Sequence, residues 1–555
     1  MSDSGHTATE VLCDPWLIAA PLVIGIVSQP YLHLADPDAF KKMVKQIFVK
    51  YRVEYPATPL ILLTSRKGSS VPVAVQAAID VAAEIEGSKP IARVVAVPDS
   101  EDDAEQYITR SCQILIVVQS AKNRDLRETD AGRAFELQME GTAKSDPESL
   151  EPREGFPVYQ LLIPDSYHRH DVAELINYPP PGTRAAEKLR EQELKAEGST
   201  EEMEKYFKKM FEDSEDFNAA IRKALCEDED GKLNRGAKQG MADLLGGASV
   251  EKMPKLQQDW LTRYGYADAL ALRFQWRTNA GQFALHFLSF WVFVFFIIFA
   301  HFAEGKELGP RLSLVVSGVF LAVAVLVLKI FRKLDTRFQD YRALAEGLRV
   351  KFFWTTAEVD EQVVNHYFGL QRTELDWIRN GFRGWDLLAQ LRSSDSRKKP
   401  DWDLIEFVHS QWIVSQNEYF QLAVKKNERN AELWEILVKA GATLAISAAI
   451  ISWGCAWCGH PACLRPLIIA VDLFLAVAAL GHHYAHVMAF TERAKQYTRM
   501  EMIYQEASRK IAIAIKDQDM NAALHWLVEL GREALAENGH WVLLHRERPL
   551  EYPHT

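Results

Sequence analysis

At 555 residues the chain exceeds one ordinary domain, so two or more folded units are expected. Its formal net charge of −11 excludes a general nucleic-acid binder, because no cluster of Lys and Arg is large enough to neutralise many phosphates. The 48% hydrophobic share is ordinary, but it is segregated: four long apolar stretches follow Ala280, whereas Glu212 to Glu251 is polar and charged.

Met1 to Glu10 is polar and lacks a basic start. The apolar run Trp16 to Val27 is broken by Pro21 and Gly25 and carries no small-residue cleavage site, so neither a secretion signal nor a first span is expected. Residues 1–20 are read as a tail, and the N-terminal half is expected in the cytosol. Cys13, Cys112 and Cys226 are isolated, as reduced thiols usually are.

From residue 21 to 178 apolar, β-branched runs alternate with helical patterns. Strands are predicted at Leu22 to Val27, Pro59 to Leu63, Ala92 to Val97, Ile114 to Val118 and Val158 to Ile163. Helices are predicted at Asp38 to Tyr51, Val71 to Ala83, Asp103 to Cys112 and Ala131 to Met139. This spacing predicts an α/β, doubly wound, Rossmann-like domain with a parallel sheet covered on both faces. Ligands of such sheets bind beyond the carboxyl ends of the strands, where helix N-termini offer free backbone donors. The candidate ligand-binding residues are therefore Ser28 and Gln29, then Thr64, Ser65, Arg66, Lys67, Gly68 and Ser69, then Asp99 and Ser100, then Gln119 and Ser120, with Gly132 and Arg133. The loop TSRKGSS has the parts of an anion site: Gly68 for close approach, a Ser cap, and the charges of Arg66 and Lys67. Ordinary turn chemistry is the alternative reading of any such loop.

No G-x-x-x-x-G-K-[ST] loop occurs, and no G-x-G-x-x-G follows the first strand, so neither NTP hydrolysis nor dinucleotide chemistry is indicated. No Ser, His and Asp set stands at the loop ends. No catalytic residue and no cofactor is expected.

Residues 179–262 are read as a charged helical connector: Pro179 to Gly182 marks a linker, and Glu187 to Leu225 has the many opposite-sign neighbours of a solvated helix. Two hairpins of transmembrane helices follow. The first occupies 263–355 with spans at about 282–302 and 312–331, and the second 426–515 with spans at about 440–458 and 467–490. Each stretch is nearly uncharged and about long enough for a hydrocarbon core of roughly 30 Å. Arg273, Arg277, Lys329, Arg332, Lys333, Arg337, Lys425, Lys426, Arg429, Lys439, Arg493, Lys495 and Arg499 flank one end of the spans; only Lys306, Arg311 and Arg465 stand at the other. Positive charge is retained inside, so both termini and the middle segment 356–425 are expected to be cytoplasmic.

Within the spans, Asp472 is a pore or membrane-site candidate, because an acid at membrane depth is costly. It could line a pore, pair with another chain, or sit among outer headgroups. His482 and His486 lie one turn apart, with His483 between, and read as interfacial packing rather than a metal pair. Cys455, Cys458 and Cys463, with His460, have zinc-like spacing, but an outward-facing loop favours a disulfide over a metal. Helical periodicity continues past the spans at Phe338, Tyr341, Leu344, Ala345, Leu348 and Phe352, and again at Tyr497, Met500, Ile503, Tyr504, Ala507 and Ile511. The projecting helices need partners for these faces, from one another or from neighbouring protomers. Leu375 to Gln411 reads as shorter packed helices, and 516–555 as a C-terminal cytoplasmic tail. The small residues Gly441, Ala445 and Ala449, on spans too few to enclose a pore, suggest a symmetric homo-oligomer.

The strands LVIGIVSQ, PLILLTSRKGSS, RVVAVPDS and ILIVVQSAKN, over about Pro21 to Asp165, resemble the SLOG superfamily, which includes lonely-guy proteins and the ligand-sensing heads of melastatin-type channels. Where the lonely-guy enzymes carry P-G-G-x-G-T-x-x-E, this chain has DAGRAFE, Asp130 to Glu136, sharing only Gly132 and Glu136. YADALALRFQWR, Tyr266 to Arg277, and DYRALAEGLR, Asp340 to Arg349, look like SLATT, the two-span effector modules associated with SLOG domains. The resemblance implies a bacterial conflict or anti-phage immunity effector in the inner membrane, whose head binds a nucleotide-like small molecule and whose oligomeric spans form a pore or perturb the bilayer. The alternative is a membrane-tethered enzyme cleaving a nucleotide or nucleoside; no nucleic-acid partner is expected.

Overall fold

The computed structural model describes residues 15–29, 37–64, 76–81, 92–96, 104–120, 130–140, 157–163, 174–178, 196–226, 231–302, 308–366, 375–392 and 400–546. In chain order the main elements are β1 (Leu22–Ser28), α1 (Pro37–Glu54), β2 (Leu60–Thr64), β3 (Ala92–Ala96), α2 (Ala104–Ser111), β4 (Ile114–Ser120), α3 (Asp130–Glu140), β5 (Val158–Ile163), β6 (Glu174–Tyr178) and α4 (Ala196–Cys226). They are followed by α5 (Lys232–Leu245), α6 (Lys255–Phe302), α7 (Leu308–Thr356), α8 (Asp376–Arg392), α9 (Ser415–Trp457), α10 (Leu464–Met488), α11 (Phe490–Lys516) and α12 (Met520–Arg546). The chain divides into two compact units. The first comprises Met1–Arg235, Glu251–Arg263 and Gln362–Lys398; the second comprises Gly236–Val250, Tyr264–Glu361 and Lys399–Thr555.

The first unit is built on a six-stranded sheet in the order β3-β2-β1-β4-β5-β6. All neighbours are parallel except β5 and β6, which are antiparallel. The five parallel strands match the expected ones to within two residues. Leu22 to Val27 is buried at every position, so β1 reads as an unbroken apolar run rather than an alternating one. Val23, Val27, Ile61, Leu63, Leu115, Val117 and Val158 share a core with Tyr107, Ile108 and Cys112 near or on α2, Ala131 and Ala134 on α3, and Leu387 on α8. β6, with the mixed sequence ELINY, carries no such run and was not expected.

Part of the stretch read as a solvated connector packs into this unit. α4 buries Phe207, Met210, Phe211, Phe217 and Ile221. The Phe211 ring meets Tyr51 and Tyr55 edge-on at 6.1 and 5.7 Å. Asn218 accepts from the Ala20 amide at 2.7 Å and donates to the Ala20 carbonyl and to Thr58 Oγ1, both at 2.9 Å. The charged positions of α4 had masked this apolar face. The buried apolar residues of α8 supply the opposite example of a legible signal: Trp377, Ile378, Phe382 and Trp385 fall on one helical face. Trp385 Nε1 donates to the Ala19 carbonyl at 3.0 Å. A Cβ on Gly384 would lie 2.5 Å from Pro21 Cγ, so only glycine lets α8 approach the start of β1 this closely.

Among the described residues, four helices are long and apolar enough to cross a membrane, with their apolar stretches in the second unit. α6 and α7, of 48 and 49 residues, run about 70 Å at 1.5 Å per residue, twice a hydrocarbon thickness, so both extend beyond their spans. Their span surfaces carry exposed Phe283, Phe287, Phe296, Leu312, Val315 and Val319, and α9 and α10 carry Ile446, Ile450, Ile451, Ile468 and Leu475. Apolar surface of this extent marks the chain as a membrane protein.

The spans pair as antiparallel hairpins. Between α6 and α7, Phe295 meets Phe320 at 5.5 Å and Ser317 Oγ donates to the Val292 carbonyl at 3.1 Å. Between α9 and α10, a Cβ on Gly441 would lie 3.3 Å from the Ala478 methyl, and one on Gly481 would lie 3.0 Å from Leu437. Gly441 and Ala445 are thus buried inside the hairpin, with Ala448, while Ala449 is exposed. Small residues let two membrane helices approach closely.

The projecting faces find their partners within the chain. Phe338, Tyr341, Leu344, Ala345, Leu348 and Phe352 of α7 are all buried. Phe338 meets Trp541 of α12 at 5.7 Å, Trp354 Nε1 donates to the Leu527 carbonyl at 3.0 Å, and Asn538 Nδ2 donates to the Ala343 carbonyl at 3.2 Å. α12 therefore gives the stretch read as a tail a packed helix. On α11, Tyr497 and Tyr504 meet Phe420 of α9 at 5.7 and 5.4 Å. α10 and α11 are separated by Ala489, whose φ of 51° is left-handed.

Candidate functional site

The expected ligand edge lies at the carboxyl ends of β1, β2 and β4. The strand order reverses between β1 and β4, with Ser28 opposite Val118, and the Gln29 amide donates to the Val118 carbonyl at 2.9 Å. Thr64 ends β2 and is fully buried. Gln119 is also buried, and its Oε1 accepts from Gln160 Nε2 in the middle of β5 at 2.9 Å, which links β4 to β5. Ser120 closes β4 opposite Ile163. Gly132 and Arg133 stand in the first turn of α3, with Arg133 exposed. The sheet thus brings Ser28, Gln29, Thr64, Gln119 and Ser120 to one edge. Ser65, Arg66, Lys67, Gly68, Ser69, Asp99 and Ser100 lie outside the described residues.

The opposite end of the same unit holds polar chemistry that the sequence did not signal. Gln113, directly before β4, is almost wholly buried and accepts from the Val23 amide at 2.6 Å through Oε1. Its Nε2 has no hydrogen-bond partner. A cavity of about 20 Å³, the size of one water molecule, is lined by Gln113, Pro21, Tyr55, Thr58, Ser214 and Asn380 among others. Nearby, Glu215 accepts from the Ala57 amide at 2.8 Å and the Thr58 hydroxyl at 2.7 Å, and burial raises its pKa above the ordinary glutamate value.

In the second unit, Asp472 has a partner in the same chain: His301 Nε2 of α6 lies 2.7 Å from Asp472 Oδ2 of α10. His483 does not stand with His482 and His486: its ring lies 5.4 Å from His286, whereas His482 and His486 are exposed. Cys455, Cys458 and Cys463 are free thiols, and no group of three or more His, Cys, Asp or Glu placed to hold a metal occurs among the described residues.

A charged cluster occupies the projecting helices. Arg342 contacts Glu346 at 2.5 Å and Asp268 at 3.5 Å; Arg349 contacts Glu346 at 3.0 Å and donates to Gln416 Oε1 at 2.7 Å. Burial pushes Asp268 above the usual carboxylate range, against the opposing charges of Arg342 and Arg349. Burial, reinforced by Glu346, pushes Glu537 up to about 7, and burial pushes Asp335 up to about 6. The cluster ties α6, α7 and α9 together through charge-assisted bonds. Comparison of the chain with family models, with curated proteins and with solved structures gives no match.

Proposed function

We propose that the protein is a ligand-gated membrane effector: its sheet-based head binds a nucleotide-derived small molecule, and its spans then open or perturb a bilayer. The observation that carries this reading is the reversal of strand order between β1 and β4, with polar residues at the carboxyl ends of those strands, in the same chain as four membrane-length helices. A doubly wound sheet binds its ligand at such a reversal. A ligand shifts a two-state protein only by its differential affinity for the two states, so the occupied head must favour the open arrangement.

The resemblance to SLOG heads and SLATT hairpins supports a bacterial conflict or anti-phage role in the inner membrane. The Lys and Arg residues at one end of the spans support cytoplasmic termini. A pore needs more spans than one chain offers, which supports a homo-oligomer.

The test is a thermal-shift screen of the detergent-solubilised chain against nucleotides and cyclic nucleotides, coupled to dye leakage from proteoliposomes. A ligand that both stabilises the protein and triggers leakage supports the reading, and Arg66→Ala with Lys67→Ala should abolish both. Turnover of the nucleotide without leakage would instead make the chain a membrane-tethered enzyme.

A further inference from the structure

The first and fourth spans meet along one seam. Going up α6, His286 meets Tyr484 and His483 at 5.1 and 5.4 Å, His301 bonds Asp472 at 2.7 Å, and the Phe302 ring lies 5.4 Å from the Arg465 guanidinium. Rising numbers on α6 pair with falling numbers on α10, so the two helices run antiparallel over the full depth of the spans. This seam joins the two hairpins, and its backbones stand farther apart than those of the α9–α10 seam. There Gly441 packs on Ala478 and Gly481 on Leu437 at close range, with the Trp434 ring 4.6 Å from Tyr484. The α6–α10 seam is made of rings and one polar bond, which can part without emptying a close-packed core.

Asp472 lies five residues, about 8 Å, inside the fourth span as counted from Leu467. An acid at that depth is costly without a polar partner. Its side chain is 40% exposed and that of His301 21%, so the bond sits at the rim of the seam.

We propose that the His301–Asp472 bond is the closure contact of the membrane unit: it holds the first hairpin against the second in the silent state, and opening breaks it. The proposal rests on the effector reading above. Each hairpin then moves as a rigid body about the other.

The test uses the full-length chain in proteoliposomes with an entrapped dye and no added ligand. His301→Ala and Asp472→Leu should leak about tenfold faster than the unaltered chain, a shift that converts to about 1.4 kcal/mol and lies within the range for bonds between membrane helices. Asp472→Asn keeps an acceptor and should stay tight, and the exchange His301→Asp with Asp472→His should restore tightness. Thermal melts in detergent establish that each variant is folded; should Asp472→Leu not fold, His301→Phe carries the same expectation. Folded variants that leak no faster than the unaltered chain, or an Asn variant as leaky as the Leu variant, overturn the closure contact. A nucleotide response that survives in tight variants then leaves the gating reading standing. Leaky variants of a chain that no nucleotide opens would instead sink the gating reading and keep the contact.

Discussion

Arg546, the last residue of α12, donates to the Asp340 carboxylate of α7 at 2.6 Å, and the two side chains are only 17% and 7% exposed. Removing Asp340 takes from Arg546 its nearest opposing charge and leaves Asp335 as a weaker counter-charge. Asp340→Ala should therefore destabilise the second unit by about 3 kcal/mol. Replacing both residues by Leu and Met should cost less than either single change. Thermal unfolding in detergent measures both.

The acid at position 537 makes this unit sensitive to pH. Burial, then Glu346, raises its pKa from 4.5 to about 7, against Arg342 and Arg349. The folded state therefore holds the proton more tightly than the unfolded chain. Its stabilising contribution is complete below pH 4.5 and is lost as pH rises to 7. Glu537→Gln keeps an acceptor for Gln496 Nε2, now at 2.9 Å from Oε1, but has no proton to lose. The variant should match the unaltered chain near pH 4.5 and melt higher at pH 8. Equal melting temperatures at pH 8 would discard the assignment.

In the first unit, Asn218 satisfies both backbone groups of Ala20 and the Thr58 hydroxyl from a position that is 1% exposed. Asn218→Ala leaves a buried amide and carbonyl without partners and should cost about 2–3 kcal/mol. Asn218→Asp keeps the acceptor but sets a buried carboxylate oxygen against the Ala20 carbonyl, so it should cost at least as much as Ala. Chemical denaturation followed by tryptophan fluorescence reads this directly, since Trp377 and Trp385 are buried in the same unit.

The break after the fourth span offers a separate check. Ala489 holds a left-handed φ of 51°, a conformation that costs an L residue about 1–2 kcal/mol and that glycine adopts freely. Ala489→Gly should raise the melting temperature by a few degrees. A lower value would mean that the methyl group, which is buried, contributes more packing than strain.

These features were unequally legible in the sequence. The parallel strands were plain, because a strand buried on both faces must be apolar at every position. The four spans were plain for the same reason, with lipid in place of protein. The carboxyl-end placement of Ser28, Gln29, Thr64, Gln119 and Ser120 followed from the strand alternation alone. What stayed hidden depends on distant pairing. α4 looks solvated because its surface charges outnumber a thin face of Phe211, Phe217 and Ile221. The partner of Asp472 is 171 residues away, and no local pattern announces His301. Gln113 is an ordinary residue before a strand until the fold buries it.

α8 belongs to the unit that holds the sheet, yet in the gene it follows the first hairpin. A ribosome making this chain releases β1 to β6 long before Trp377, Gly384 and Trp385 emerge. During that interval Ala19 lacks the indole that later binds its carbonyl, and the nascent sheet lacks Leu387 in its core. Synthesis of the first two long apolar helices therefore precedes completion of the sheet-bearing unit, and a fragment ending at residue 262 lacks part of that unit's core.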